Sequence, residues 1–586
     1  MLSNIRSYFY NLKRFQAPLE KCLFPVVLFL YPLIGINQGL NIADTTYGLS
    51  NYEYFGSIDP MWAISTFLSN VVGSAIMKLP GAGTMVGMSF YCSLIIGITA
   101  IIPYYMLQRW MPGWMIFIGE FIAESLCWCP RVILYNYLTY LFFTLGTLFL
   151  LVGMFEWEKQ NRYLLLAGIF LGLNVMVRFP NVVEAGMILV LWFFEIITGG
   201  KFIEALKKTL VCVGGYLIGL VLPFVFISVK YGPLAYVDMI GSLFGMTSGA
   251  SDYTAGGMLS SIISAYLTTG KDMIIMVPCI VAGMVMFDIL PEKYLLIKKL
   301  LYVAGLFVLV RFYFADGVFT RNYHYYDSVF QAAMMFVIIG IILSVVGSSG
   351  VLNGSKEEQT LALAVLLIML ITPLGSNNYT YPVINNLFVV APVTLWFFRR
   401  MMQRLGEKQT NFPWQGMVTM VIAVVLVQGA IFHYCFAFGD GMEGQIRDAG
   451  CSIPKVKSMV TTGYNADSLD ELYDALSEKE LLDDKVILFG GIPGLSYIYD
   501  LEPAIDTVWP DLDSYSVEKF DDQLQKLSVS SDDAPTVIVG KEMAEYANIE
   551  AKYDILMDYI NYQDYNKVFE SERFIVFAQG GTRSEE

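Results

Sequence analysis

Apolar stretches of membrane-spanning length recur along the first three quarters of this chain, divided by short polar loops. They begin near Cys22, Met85, Trp114, Val132, Tyr163, Val182, Thr209, Asp272, Leu300, Ser328, Thr360, Pro382 and Gly416. A bilayer core takes about 20 apolar residues per helix, so the pattern predicts about 13 spanning helices. Beyond Asp440 the period shortens. Lys457 to Thr461, Lys485 to Phe489 and Thr536 to Val539 read as strands, and Val568-Phe569 with Phe574 to Phe577 reads as a hairpin. Between them Ser468 to Ser477, capped by Asp467 or Ser468, Phe520 to Leu527 and Lys552 to Ile560 read as helices. Strands alternating with helices predict a small layered α/β domain. The expected division is 1–439 for the membrane part and 440–586 for the α/β domain.

Charge orients the chain. Basic residues gather at Arg6, Lys13, Arg14 and Lys21, at Lys159 and Arg162, and at Lys201, Lys207 and Lys208. Further groups are Lys293, Lys298 and Lys299, then Arg399, Arg400, Arg404 and Lys408. With an odd number of crossings all of these share one side, the cytoplasm. The N-terminus is then inside and the α/β domain outside. The first apolar segment lacks a small-residue cleavage pattern and reads as a retained helix. Of the long outer loops, 41–84 contains a semi-apolar stretch, Met61 to Leu79, that reads as an interfacial helix. Lys230 to Lys271 reads as another loop.

Composition agrees. The chain is 56% hydrophobic and only 15% charged, with a net charge of -15. From Asp440 onward there are 31 acids against 12 bases, which argues against nucleic-acid binding. Most of the eight cysteines lie in apolar segments, where Cys behaves as a small hydrophobe. The tail holds only Cys451, so it has no internal disulfide framework. Its Gly490-Gly491-Ile492-Pro493-Gly494 loop lacks the Lys-Ser/Thr of a nucleotide loop, and a structural or substrate-docking role fits it better. An outer domain without disulfides, and no eukaryotic targeting signal, points to a bacterial plasma membrane.

Candidate chemistry gathers in the outer loops. Asp44 follows the first helix and reads either as a general base or ion site, or as a turn acid in water. Glu53 and Asp59 share its loop and either hold a metal or are solvated. Arg178 closes an apolar helix at its outer end. It grips an anion such as a lipid phosphate, or it snorkels to the headgroups. Arg321 and His324 stand with Asp327 among four aromatic residues, and their chemistry suits a phosphate and a hydrogen-bond partner. Glu124, Arg131, Glu184 and Arg311 are border or intramembrane charges, which are usually paired. Glu124 and Arg131 are close enough in sequence to pair.

Three local patterns carry a resemblance. One is the acid in the first outer loop, Asp44. The second is Asn136-Tyr137-Leu138-Thr139-Tyr140-Leu141-Phe142-Phe143, a polar-then-aromatic helix start. The third is the small-residue helix Leu166 to Val177 ending in Arg178-Phe179-Pro180. In these and in its layout the chain resembles the integral-membrane GT-C glycosyltransferases, in the protein mannosyltransferase-like and aminoarabinose-transferase-like branch. The resemblance implies a polyprenyl-phosphate sugar donor, an envelope glycan, lipid or protein as acceptor, Asp44 as base and Arg178 near the carrier phosphate. Many members carry a second acid where Asn136 stands, an amide, so no cofactor is assigned and a divalent metal is left open. The function expected is inverting sugar transfer on the outer face. The alternatives are a lipid-linked sugar flippase, which would not need Asp44, and a structural envelope subunit.

Overall fold

The computed structural model describes residues 16–128, 130–156, 158–248, 254–376, 378–407, 412–530, 534–543 and 548–579. Arg6, Lys13, Arg14, Cys129 and Lys408 lie outside them. Long apolar helices fill the first part, and among the described residues seven are long and apolar enough to cross a membrane. They are Met85–Arg109, Leu134–Phe155, Phe179–Thr198, Phe202–Tyr231, Ala255–Ile289, Phe330–Ser348 and Trp414–Cys435. Seven apolar helices of this length make the chain an integral membrane protein. The thirteen expected segments are not all of that kind. Gly113–Leu126 has only 14 residues. Leu295–Ala315 carries Lys298, Lys299 and Arg311, and Val390–Glu407 ends in a run of arginines.

Close backbone packing replaces hydrophobic burial inside such a bundle, because lipid is as apolar as leucine. The helices Gln160–Val177 and Phe202–Tyr231 show it. A Cβ at Gly168 would lie 2.0 Å from the Cys212 carbonyl oxygen, and one at Gly172 2.2 Å from that of Tyr216. From the other side, Gly215 and Gly219 press on the carbonyls of Leu165 and Ile169 in the same way. Glycines four apart on each helix thus form the seam.

Two expectations for the outer loops divide. Met61 to Leu79 is helical, as Pro60–Ser65 and Phe67–Ile76. The span from Lys230 to Lys271 is not a loop. It forms the helices Ala235–Ser248 and Ala255–Ile274, since its apolar residues recur at helical spacing and pack against neighbouring helices.

The tail holds a four-stranded sheet in the spatial order Val486–Phe489, Thr536–Gly540, Phe574–Gln579, Tyr565–Glu570. Strands β1 (Arg447–Ala449) and β2 (Thr461–Thr462) form a separate antiparallel pair. In the main sheet β3 (Val486–Phe489) runs parallel to β4 (Thr536–Gly540), while β5 (Tyr565–Glu570) and β6 (Phe574–Gln579) form the expected hairpin. Helices Gly463–Glu478, Val517–Ser530 and Ile549–Tyr562 cover the positions read as helical. Two details differ. Only Thr461 of the stretch Lys457 to Thr461 is strand. The first tail helix starts earlier than expected, because the Thr462 side chain accepts from the Asn465 amide and caps it.

The tail is stitched through the backbone to the loop that follows the first apolar segment. Val460 N–H donates to Asn37 O at 2.7 Å and Gly39 N–H to Val460 O at 2.8 Å. Gly494 N–H reaches Ile42 O, Met85 N–H reaches Lys455 O, and Asp59 N–H reaches Asp506 O. Gly39 has φ +88, and a Cβ there would lie 2.6 Å from the Ala437 Cβ, so only glycine permits the approach. Asp440 is 5% exposed and accepts from Leu40 N–H at 2.8 Å and from the Thr461 hydroxyl at 2.6 Å. Arg447 closes the end of the Trp414–Cys435 helix by donating to Cys435 O and Asp440 O.

Asp440→Ala removes the acceptor of two buried donors and is expected to cost about 2 to 4 kcal/mol. The check is a lower thermal unfolding midpoint in detergent, with a smaller drop for Thr461→Val, which removes one donor.

Candidate functional site

Asp44 opens the helix Asp44–Glu53, where a negative charge faces the positive end of the backbone dipole. The Asn41 side chain accepts from the Thr45 amide at 3.1 Å, and the Thr46 hydroxyl donates to Asn41 O at 2.8 Å, so the helix start is held locally. Tertiary contacts hold the rest. Leu49, Ser50 and Tyr52 are buried, and the Tyr52 hydroxyl donates to Val132 O and accepts from Leu134 N–H, each at 3.0 Å. On the tail side, Ser50 donates to Pro493 O, and Tyr47 meets the Trp509 ring edge-on at 5.1 Å. A Cβ at Gly494 would lie 1.6 Å from the Thr46 hydroxyl, so the tail's glycine-rich loop packs directly on this helix.

The Asp44 carboxyl itself is exposed and makes no hydrogen bond or ion pair among the described residues. Protein mass around it still displaces part of its water, and that desolvation raises its pKa above the ordinary carboxylate value. The carboxyl therefore stands in a recess open to solvent.

Beside it lies a cleft open to solvent. Asn41 and Thr45, on either side of Asp44 in sequence, line it, with Glu124, Trp128, Arg131 and His433. Asp44 itself is not among the lining residues. Arg131 follows the short helix Gly113–Leu126 and reaches back to the end of the first apolar segment. Its guanidinium donates to Pro32 O at 2.7 Å and Ile34 O at 2.6 Å. It makes no ion pair among the described residues, and burial lowers its pKa. Glu124 and Arg131, close enough in sequence to pair, form no ion pair among the described residues: two backbone carbonyls take the guanidinium instead. His433 stacks on Tyr31 with ring centres 4.4 Å apart, and the Tyr31 hydroxyl shares a 2.7 Å hydrogen bond with Ser125.

The remaining candidates sit elsewhere. Glu53 is paired with Lys455 of the tail at 2.6 Å, and Lys455 also reaches Asp500 at 2.7 Å, so this acid works as a tether between loop and tail. Asn136 is half-buried in the first turn of Leu134–Phe155; its neighbour Tyr137 lines the cleft. Arg178 closes the Gln160–Val177 helix in extended conformation, and its Nε is buried without a hydrogen-bond partner. Close by, Asn174 donates to Glu184 at 2.7 Å and Asn181 to the Thr139 hydroxyl at 2.8 Å. Arg321 is exposed, 5.5 Å from the Phe314 ring centre. His324 is half-buried, with Nδ1 unpartnered. None of these five is among the residues lining the cleft. Among the described residues no group of three or more His, Cys, Asp or Glu is placed to hold a metal ion.

The sequence reading named Arg131 and Glu124 only as border charges, and it passed over Trp128 and His433. An isolated charge beside a proline at the end of an apolar helix was the available signal for Arg131. Nothing in the spacing joins His433 to residues three hundred positions earlier.

No protein-family model matches the chain, and no curated protein matches it by sequence. Among solved structures it is similar to the oligosaccharyltransferase AglB from Archaeoglobus fulgidus, in complex with an inhibitory peptide and a dolichol-phosphate. The identity is 12%, over 93% of this chain and 71% of that one, with a TM-score of 0.48. It is also similar to ArnT from Cupriavidus metallidurans bound to undecaprenyl phosphate, at 11% identity over 96% of this chain and 97% of that one, with a TM-score of 0.44. Both neighbours are GT-C glycosyltransferases, the class that the sequence resembles.

Proposed function

We propose that this chain is a membrane glycosyltransferase that moves a sugar from a polyprenyl-phosphate donor to an envelope acceptor on the outer face. The observation that carries the reading is one juxtaposition. An unpartnered, partly desolvated carboxyl, Asp44, lies in sequence between Asn41 and Thr45, which line a cleft holding a guanidinium, Arg131, that makes no ion pair among the described residues. Displacement at a phosphate-linked sugar needs those two groups. Asp44 takes the proton of the acceptor hydroxyl as its oxygen bonds to the anomeric carbon. The bond from that carbon to the phosphate oxygen breaks on the opposite face, which inverts the centre. The polyprenyl phosphate leaves with the bonding pair, and the fixed positive charge of Arg131 stabilises the charge that develops. Desolvation raises the Asp44 pKa, which strengthens the carboxylate as a base. Arg178, from its own position at the end of Gln160–Val177, takes a supporting role toward the anionic carrier. Glu53 is assigned to the tether rather than to a metal.

In reconstituted membranes with labelled polyprenyl-phosphate sugars, Asp44→Asn is expected to lower transfer by about 10² to 10⁴-fold. Transfer at the wild-type rate would overturn the assignment. Arg131→Ala is expected to weaken both carrier binding and turnover, and wild-type values for both would remove it from the site.

Stability supplies an independent check. A carboxyl raised by desolvation opposes folding once it ionises: the favourable protonated form is present below the unfolded value and is lost as pH rises through the folded one. Asp44→Asn is therefore expected to unfold at a higher temperature than wild type at neutral pH. The difference should vanish as the pH falls below the ordinary aspartate range.

A further inference from the structure

Two buried polar groups in the cleft are left over by that chemistry. Glu124 is 1% exposed, and both of its carboxylate oxygens lack a hydrogen-bond partner among the described residues. Trp128 is 5% exposed, and its indole Nε1 likewise has none. Both residues line the same cleft as Arg131. Neither is loosely held. The Trp128 amide donates to Asn385 Oδ1 at 3.0 Å, and its ring lies 4.8 Å from Phe432 and 5.4 Å from Tyr381 between ring centres. Ser125, next to Glu124, is tied to Tyr31.

A buried polar group without a partner is costly and needs an explanation. Here the two groups are complementary. A carboxyl group accepts through its oxygens, and an indole N–H only donates. A ligand that satisfies both must offer donors and acceptors close together. An ammonium offers donors alone and a phosphate oxygen acceptors alone, whereas neighbouring sugar hydroxyls offer both. One turn earlier on the same helix face, Glu120 is fully buried with both oxygens also unpartnered among the described residues. A second acid there disfavours any ligand that brings in a carboxylate.

We infer that Glu124 and Trp128 form the sugar-recognition part of the cleft, selecting a neutral sugar with free neighbouring hydroxyls while Arg131 faces the carrier phosphate. The inference rests on the glycosyltransferase reading and extends it from reaction class to donor selectivity. Glu124 accepts from the hydroxyls and Trp128 donates to one of them.

The test is binding of three probes to the purified full chain in lipid nanodiscs. They are bare polyprenyl phosphate, the same carrier bearing a neutral hexose, and the carrier bearing a uronic acid. Wild type is expected to prefer the hexose carrier over the uronic acid carrier by at least about tenfold. Glu124→Gln is expected to shrink that ratio by about tenfold or more and to leave affinity for the bare carrier unchanged. Trp128→Phe keeps the ring and should lower hexose-carrier affinity in the same pattern, so it carries the test if Glu124→Gln fails to fold. An unchanged ratio in both variants, or an equal loss for all three probes, overturns the sugar subsite. A wild-type protein that binds none of the probes overturns the glycosyltransferase reading along with it.

Discussion

The loop after the first apolar segment has no sheet of its own, and its backbone must still find partners wherever it is buried. The tail supplies them. Asn37, Gly39, Leu40 and Ile42 each bond to the tail, through Val460, Asp440, Asn465 and Gly494. Leu40 and Leu49 share one apolar cluster with Ile453, Leu469 and Leu495. The helix that carries Asp44 is therefore held between membrane bundle and tail. Everything proposed for the cleft depends on that grip, because Asn41 and Thr45 form one wall of it.

The opposite wall is built from the membrane side. Arg131 is fixed by two carbonyls at the end of the first apolar segment, and the Tyr52 hydroxyl bridges Val132 and Leu134 just beyond it. A single tyrosine thus joins the Asp44 helix to the loop that bears Arg131. Acid and guanidinium belong to separate stretches of chain, and this hydroxyl fixes one relative to the other. Preorganisation of this kind stabilises developing charge without rearrangement during the reaction.

Several other charges in the bundle are compensated. Lys208 meets Glu195 at 2.6 Å, Arg400 grips Glu358, and Glu184 is bonded by Asn174. Against that background Glu120 and Glu124 stand out, since apolar surroundings normally demand a partner for every acid. The contrast singles out the Gly113–Leu126 helix as a functional element rather than a simple membrane span. Its 14 residues are too few for an ordinary crossing, and its end is shaped around the cleft.

Much of the architecture was legible in the order of residues. Hydrophobic runs declare membrane helices because length and apolarity alone satisfy a bilayer, and the tail's β3, β4 and β6 declare themselves through short Val- and Ile-rich runs. Helical content in 230–271 was missed because its glycines and polar residues mask a pattern that packing completes. For the site, the sequence alone marked Asp44 as an acid in an outer loop, and it offered Arg178, Arg321 and His324 on equal terms with many others. Tertiary structure drew Arg131, Trp128 and His433 together and tied Glu53 to Lys455. Local pattern is set by neighbours along the chain, which share one helix or one strand. A cleft is set by side chains from distant segments, whose meeting depends on how helices pack and how the tail grips the first loop.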